Sequence, residues 1–168
     1  GDSFGIESAA SADEGSYSVL VLNRGGTVES DAMLLDVITP VSISRDLENV
    51  TVSEGGIARF SVDVNGTSPI SYQWFYGGSP IVGATDSVYE IGIVAETDRG
   101  VYQVRVSNKG GRVSSAESKL SVSVAPRLLR PIEDQELLAG GTLNLQVSAS
   151  GTEPLTYNWY RGGDLYSS

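Results

Sequence analysis

Cysteine and histidine are both absent from these 168 residues, and lysine and arginine together number only 11. Without them there is no disulfide, no thiol nucleophile, no usual zinc ligand and no imidazole base. The basic residues are outnumbered by 21 carboxylates, a net charge of −10. That balance argues against nucleic acid and anionic membranes as partners. No apolar run is long enough to cross a bilayer, so no membrane insertion is expected. The opening GDSFGIESAA carries no secretory leader and reads as a mature or truncated beginning. No phosphate loop, nucleophile–base pair or carboxylate dyad is recognisable, so the chain reads as non-catalytic, with no cofactor expected.

Hydrophobic residues make up 40% of the chain, which is enough to bury a core. Their order reveals an internal repeat. DEGSYSVLVLNRGG, from Asp13 to Gly26, returns 85 positions later as DRGVYQVRVSNKGG, from Asp98 to Gly111. At that shift residues 1–39 share 14 identities with 86–124, and residues 40–83 share 12 with 125–168. The matches include Asp13/Asp98, Gly15/Gly100, Tyr17/Tyr102, Asn23/Asn108, Gly66/Gly151, Pro69/Pro154 and Trp74/Trp159. A fixed period of this kind sets the unit of structure.

Each unit reads as all-β. IARFSVDV (57–64) and VYQVRVS (101–107) alternate apolar and polar residues, the pattern of strands with one buried face. Turn signals divide the runs at Gly55-Gly56, Asn65–Pro69, Gly77-Gly78 and Asn108–Gly111. Short strands at this spacing predict an antiparallel sandwich.

SVDVNGTSPISYQW, then DRGVYQVRVSNKGG, then LSVSVAP resemble an immunoglobulin-like domain of the I-set kind. More closely, they resemble the cysteine-free tandem repeats of bacterial surface and secreted proteins. The resemblance implies an immunoglobulin-like antiparallel β-sandwich at an extracellular or cell-surface location. It implies that Trp74 fills the space between the sheets, and that Tyr102 forms a tyrosine corner beside Gly100. The family's two disulfide cysteines fall at Val62 and Val104, with Val147 and Val19 as their counterparts in the flanking units. Val62, Trp74, Tyr102 and Val104 are therefore the expected core.

Mapped on this pattern, residues 41–125 make one complete domain, with strands A to G in the family's lettering. Residues 1–40 carry the C-terminal half of a domain, strands E to G. Residues 126–168 carry the N-terminal half, strands A to C and the following turn. Gly1 aligns with Asp86 and Ser168 with Gly83, so the two ends fall in one loop of the repeat. The halves are complementary, which predicts that Ile6, Tyr17, Val19 and Val21 meet Leu145, Val147 and Trp159 of another copy, head-to-tail. A contact of that kind propagates as an open filament. The other reading is a longer array divided at exposed loops.

Functionally, the pattern predicts a structural stalk or fibre segment. The alternative is an adhesion module that recognises a glycan or a host or matrix protein. For that alternative, strand parity turns Phe75 and Arg105 outward as the candidate ligand face. The loops 65–69 and 108–111 share a pole that should abut the preceding unit. Acidic pairs at Asp46/Glu48 and Glu133/Asp134 near the junctions suggest surface charge rather than a calcium site, since no dense D-x-D-x-D spacing is present. Asp13 and Asp98 are expected to cap the corner. Asn49-Val-Thr51 and Asn65-Gly-Thr67 are glycosylation sequons in a secreting eukaryote.

Overall fold

The computed structural model describes residues 1–167; Ser168, the last position of the third segment, lies outside the described residues. Residues 1–40 contain β1 (Gly15–Tyr17), β2 (Leu20–Asn23), β3 (Gly26–Glu29) and β4 (Met33–Leu35). Residues 41–125 begin with β5 (Ser42–Arg45), β6 (Val50–Ser53), β7 (Ala58–Ser61), β8 (Asp63–Asn65) and β9 (Ser71–Tyr76). They continue with β10 (Ser79–Pro80), β11 (Val88–Ile91), β12 (Gly100–Asn108), β13 (Gly111–Ser114) and β14 (Ser118–Ser123). The third segment supplies β15 (Arg127–Arg130), β16 (Ser148–Ser150), β17 (Trp159–Arg161) and β18 (Asp164–Ser167).

The middle segment is an immunoglobulin-like β-sandwich. One sheet runs β10-β9-β12-β14-β6, with β13 also on β12; the opposing layer is formed by the β5·β8 and β11·β7 pairs. All these pairings are antiparallel except β14 with β6, which is parallel and registers Leu120 on Val50 and Ser123 on Ser53. The run 57–64, read in the sequence as one strand, is two. β7 pairs with β11 while β8 turns to pair with β5, and Val62 sits buried at the switch. Residues 81–87 form no ladder strand of their own. Ile81 donates to the Trp74 carbonyl and Trp74 to that of Ala84, so this stretch is held across the edge of β9 and no D strand forms.

Inward residues of both layers make one core. Trp74, Ala58, Val104, Val106 and Leu120 have no exposed surface, and Val62 and Tyr102 are buried with them. Phe60 lies at its centre, stacked on Tyr102 at 4.7 Å between ring centroids and 6.2 Å from Trp74. Close offset aromatic packing of this kind adds to simple area burial.

The flanking segments repeat this structure only where partners are available within the chain. β2 pairs with β3 and β1 with β4, in the registers of β12 with β13 and β14. The expected strand E of residues 1–40 is not a ladder strand: residues 1–6 form none. Its counterpart β11 is held by β7, and this chain places no equivalent of β7 beside residues 1–6. In the third segment β15 pairs with β16, and β17 with β18. Residues 142–147, counterpart of β7, lack a ladder for the same reason.

Candidate functional site

Three features stand out on this scaffold: a repeated corner, a clamped junction and an open sheet face. At the corner, a short 3-10 turn (Glu96–Asp98) brings Asp98 back over Ala95. Asp98 Oδ2 accepts from the Ala95 N–H at 2.8 Å, and the Tyr102 hydroxyl donates to the Asp98 carbonyl at 2.9 Å. Residues 10–17 repeat both bonds, Ala10 N–H to Asp13 Oδ2 at 2.8 Å and Tyr17 to the Asp13 carbonyl at 2.7 Å. Burial raises the Tyr102 phenol well above its ordinary value, with the Tyr89 phenol, the Asp98 carboxylate and the Tyr76 phenol adding to the shift. It therefore remains a neutral donor.

Gly100 is explained by a neighbour. A Cβ there would lie 2.5 Å from Tyr76 Cε2, and the Tyr76 hydroxyl donates towards the carbonyls of Thr97 and Arg99, at 3.2 and 2.9 Å.

At the junction, Asn108 closes the pole onto the chain entering from the first segment. Its Nδ2 donates to the carbonyls of Thr39 (2.8 Å) and Thr67 (2.9 Å), while Oδ1 accepts from the Val41 and Gly110 N–H groups. Thr67 adds a reciprocal pair: its N–H donates to the Thr39 carbonyl, and its hydroxyl accepts from the Thr39 N–H. Bulk is excluded here, because a Cβ on Gly66 or Gly110 would fall 2.9 Å from the backbone of Val41 or Pro40. The next junction uses the same pair 85 residues later, Thr152 with Val124 at 2.7 and 2.9 Å. The loops at this pole thus face the preceding linker.

On the outer face of the six-stranded sheet, the Arg105 guanidinium lies 4.8 Å over the Phe75 ring. Phe75 is half-buried and Arg105 exposed. Gln73 and Gln103 bond back to backbone carbonyls of Ile81 and Ser115 and leave this pair as the accessible chemistry.

The residues expected to join separate copies form two open faces. Ile6, Val19, Val21 and Leu145 are exposed, Val19 and Val21 by more than half, while Tyr17, Val147 and Trp159 are half-buried. Phe4 packs on Tyr17 at 6.0 Å, matching the Tyr89–Tyr102 distance of 5.9 Å in the complete unit. The third segment has a cleft of about 730 Å³ lined by Leu143, Leu145, Trp159 and Tyr166 among others.

Of the acidic pairs near the junctions, Asp46 uses its carboxylate on the N–H groups of Leu47 and Ala116. Among the described residues no group of His, Cys, Asp or Glu is arranged to hold a metal ion. No helix among them is long and apolar enough to cross a membrane. The junction role of Asn108 and the central place of Phe60 were missed in the sequence. The Asn23/Asn108 and Gly66/Gly151 identities were the available signal for the first.

A sandwich with this strand order, tyrosine corner and buried tryptophan defines an immunoglobulin-type module. Residues 41–124, half of the chain, match the Immunoglobulin I-set domain model, and the chain belongs to that family. It is 26% identical over 171 residues to the muscle M-line assembly protein unc-89 of Caenorhabditis elegans, covering 94% of this chain and 2% of the relative. It is 31% identical over 158 residues to leucine-rich repeats and immunoglobulin-like domains protein 2 of Mus musculus, covering 88% of this chain and 15% of that one. The chain thus spans only a small part of these relatives, which are animal proteins. Among solved structures, the titin I-band fragment I67–I69 superposes with a TM-score of 0.79 at 22% identity, over 95% of this chain and 59% of that one. That likeness establishes the fold.

Proposed function

We propose that the chain is a non-catalytic segment of a tandem immunoglobulin-like array, working as a stalk or fibre at the cell surface. The observation that carries this reading is the junction clamp. Thr67 with Thr39 and Thr152 with Val124 fasten successive units through the same pair of bonds at one 85-residue interval. A repeated clamp suits a chain whose task is to hold spacing. Assembly and adhesion relatives, by their names, agree with such a task. The lack of cysteine is the feature that favours the bacterial type of array.

The open faces at 1–40 and 126–168 are completed in this reading by strands of the complementary kind, head-to-tail from a neighbouring copy. The complete unit supplies the template. Its counterparts of Tyr17, Val19 and Val21 are Tyr102, Val104 and Val106, buried in the same core as Trp74, counterpart of Trp159. Burial of that surface, with new ladder bonds, would drive association. Sedimentation of the 168-residue chain should show oligomers that grow with concentration. Trp159→Asp should abolish them and leave the unit around Trp74 folded. A monomer at all concentrations, or association that survives this substitution, rejects complementation.

A second reading, a binding module for a glycan or protein, is supported by the stacked Phe75–Arg105 pair on an open face. Loss of pull-down on Phe75→Ala would favour it over a purely structural role.

A further inference from the structure

The six-stranded sheet of residues 41–125 differs in charge from the rest of the molecule. Its strands β6, β9, β10, β12, β13 and β14 contain no aspartate or glutamate, although the chain holds 21. They do contain Arg105, Arg112 and Lys119, and the nearest carboxylate in sequence, Glu117, lies in the connection between β13 and β14. On the opposing layer the arginines are matched: Arg45 pairs with Asp63 at 2.8 Å and Arg59 with Glu90 at 3.9 Å. Among the described residues, Arg105, Arg112 and Lys119 enter no ion pair.

Arg105 and Arg112 line one shallow cleft of about 290 Å³ with Val113 and Ser114. Ser114 stands directly across from Arg105, and Arg112 across from Ser107, so both cations project from one hairpin face. Phe75 supports the Arg105 guanidinium by its flat side. That posture leaves the N–H edge free, the geometry that takes a carboxylate through two parallel bonds. The feature is also not a property of the repeat. The positions of Arg105, Arg112, Ser114 and Lys119 are occupied in the first segment by Leu20, Thr27, Glu29 and Leu34. A fold requirement would recur; this does not.

We infer that the cleft between Arg105 and Arg112 is a docking site for an acidic protein segment presenting one or two carboxylates. This deepens the binding-module reading and does not depend on head-to-tail assembly. A short segment fits better than a long sulfated polysaccharide. Beyond the patch such a polymer meets carboxylates, including seven against a single arginine in residues 1–40. A second copy of this chain would bring its own net charge of −10 against the same charge.

The test is fluorescence anisotropy at low salt with a labelled peptide of alternating glutamate and serine, using the whole chain. Binding should weaken as salt rises and fall by about tenfold or more in the Arg105→Gln/Arg112→Gln variant. Arg45→Gln, on the opposing layer, should leave it unchanged. Ser114→Glu places across from Arg105 the residue found at Glu29 and should compete internally, with equal loss of peptide. No binding by the unaltered chain, or equal binding by the double variant and Ser114→Glu, overturns the site. Tighter arginine-dependent binding of a heparin tetrasaccharide, or arginine-dependent self-association in sedimentation, overturns the choice of an acidic protein segment.

Discussion

The Asn108 side-chain amide donates to the carbonyl of Thr39 at 2.8 Å, joining a turn of the complete unit to the linker 69 residues earlier. The same amide serves Thr67, so one side chain gathers linker and both loops of the pole.

Asn108→Ala removes these bonds together and should destabilise the complete unit by about 1–3 kcal/mol, as expected for several polar groups left to find water. Asn108→Asp keeps the acceptor but turns a carboxylate towards two carbonyls, so it should be no better tolerated than alanine. Thermal unfolding measures the cost, and faster protease cleavage near Thr39 reports the loosened linker. Full protection in both variants would show that Thr67 alone holds the junction.

Tyr102→Phe leaves the Asp98 carbonyl without its donor at the corner and should cost about 1 kcal/mol at neutral pH. The pH dependence has a definite sign. Burial, above all, raises the phenols of Tyr102 and Tyr89 in the folded state, so the unfolded chain loses its protons first as pH rises. This stability is fully present below about pH 10, the ordinary tyrosine value, and is lost progressively above it. Unfolding midpoints from pH 9 upward should fall less steeply for Tyr102→Phe than for the unaltered chain.

Gly100→Ala should destabilise, because its methyl group meets the Tyr76 ring and displaces the hydroxyl from Thr97 and Arg99. A loss of about 1–3 kcal/mol is the usual size for overpacking. Gly92→Ala, where nothing lies within 4 Å, is the matched control and should change little. Equal melting of the two variants would locate the constraint somewhere other than Tyr76.

Much of the fold was legible because the repeat marks the same residues twice. Tyr17 with Tyr102, and Asp13 with Asp98, announced a corner that both copies build with the same bonds. Outward and inward parity placed Phe75 and Arg105 on one face. What escaped reading depended on partners rather than patterns. Alternation alone cannot show that the strand 57–64 changes sheets at Val62, or that residues 1–6 lack a ladder when the strand beside them is missing. Phe60 was overlooked because its counterpart, Leu145, is not identical, although both positions are apolar. Asn108 was recognised as a turn residue, since its amide's reach to Thr39 depends on where the linker passes.

The parallel ladder between β6 and β14 sets an early strand of the unit beside its last, with Val50 against Leu120 and Ser53 against Ser123. Pulling the linker at Val41 away from the exit at Ala125 slides these strands past each other lengthwise. Their hydrogen bonds then share the load at once instead of peeling open in turn. Ser118 and Arg99 add ties to the Glu48 and Val122 carbonyls on either side of that seam. Under tension, such a unit resists as a lap joint does.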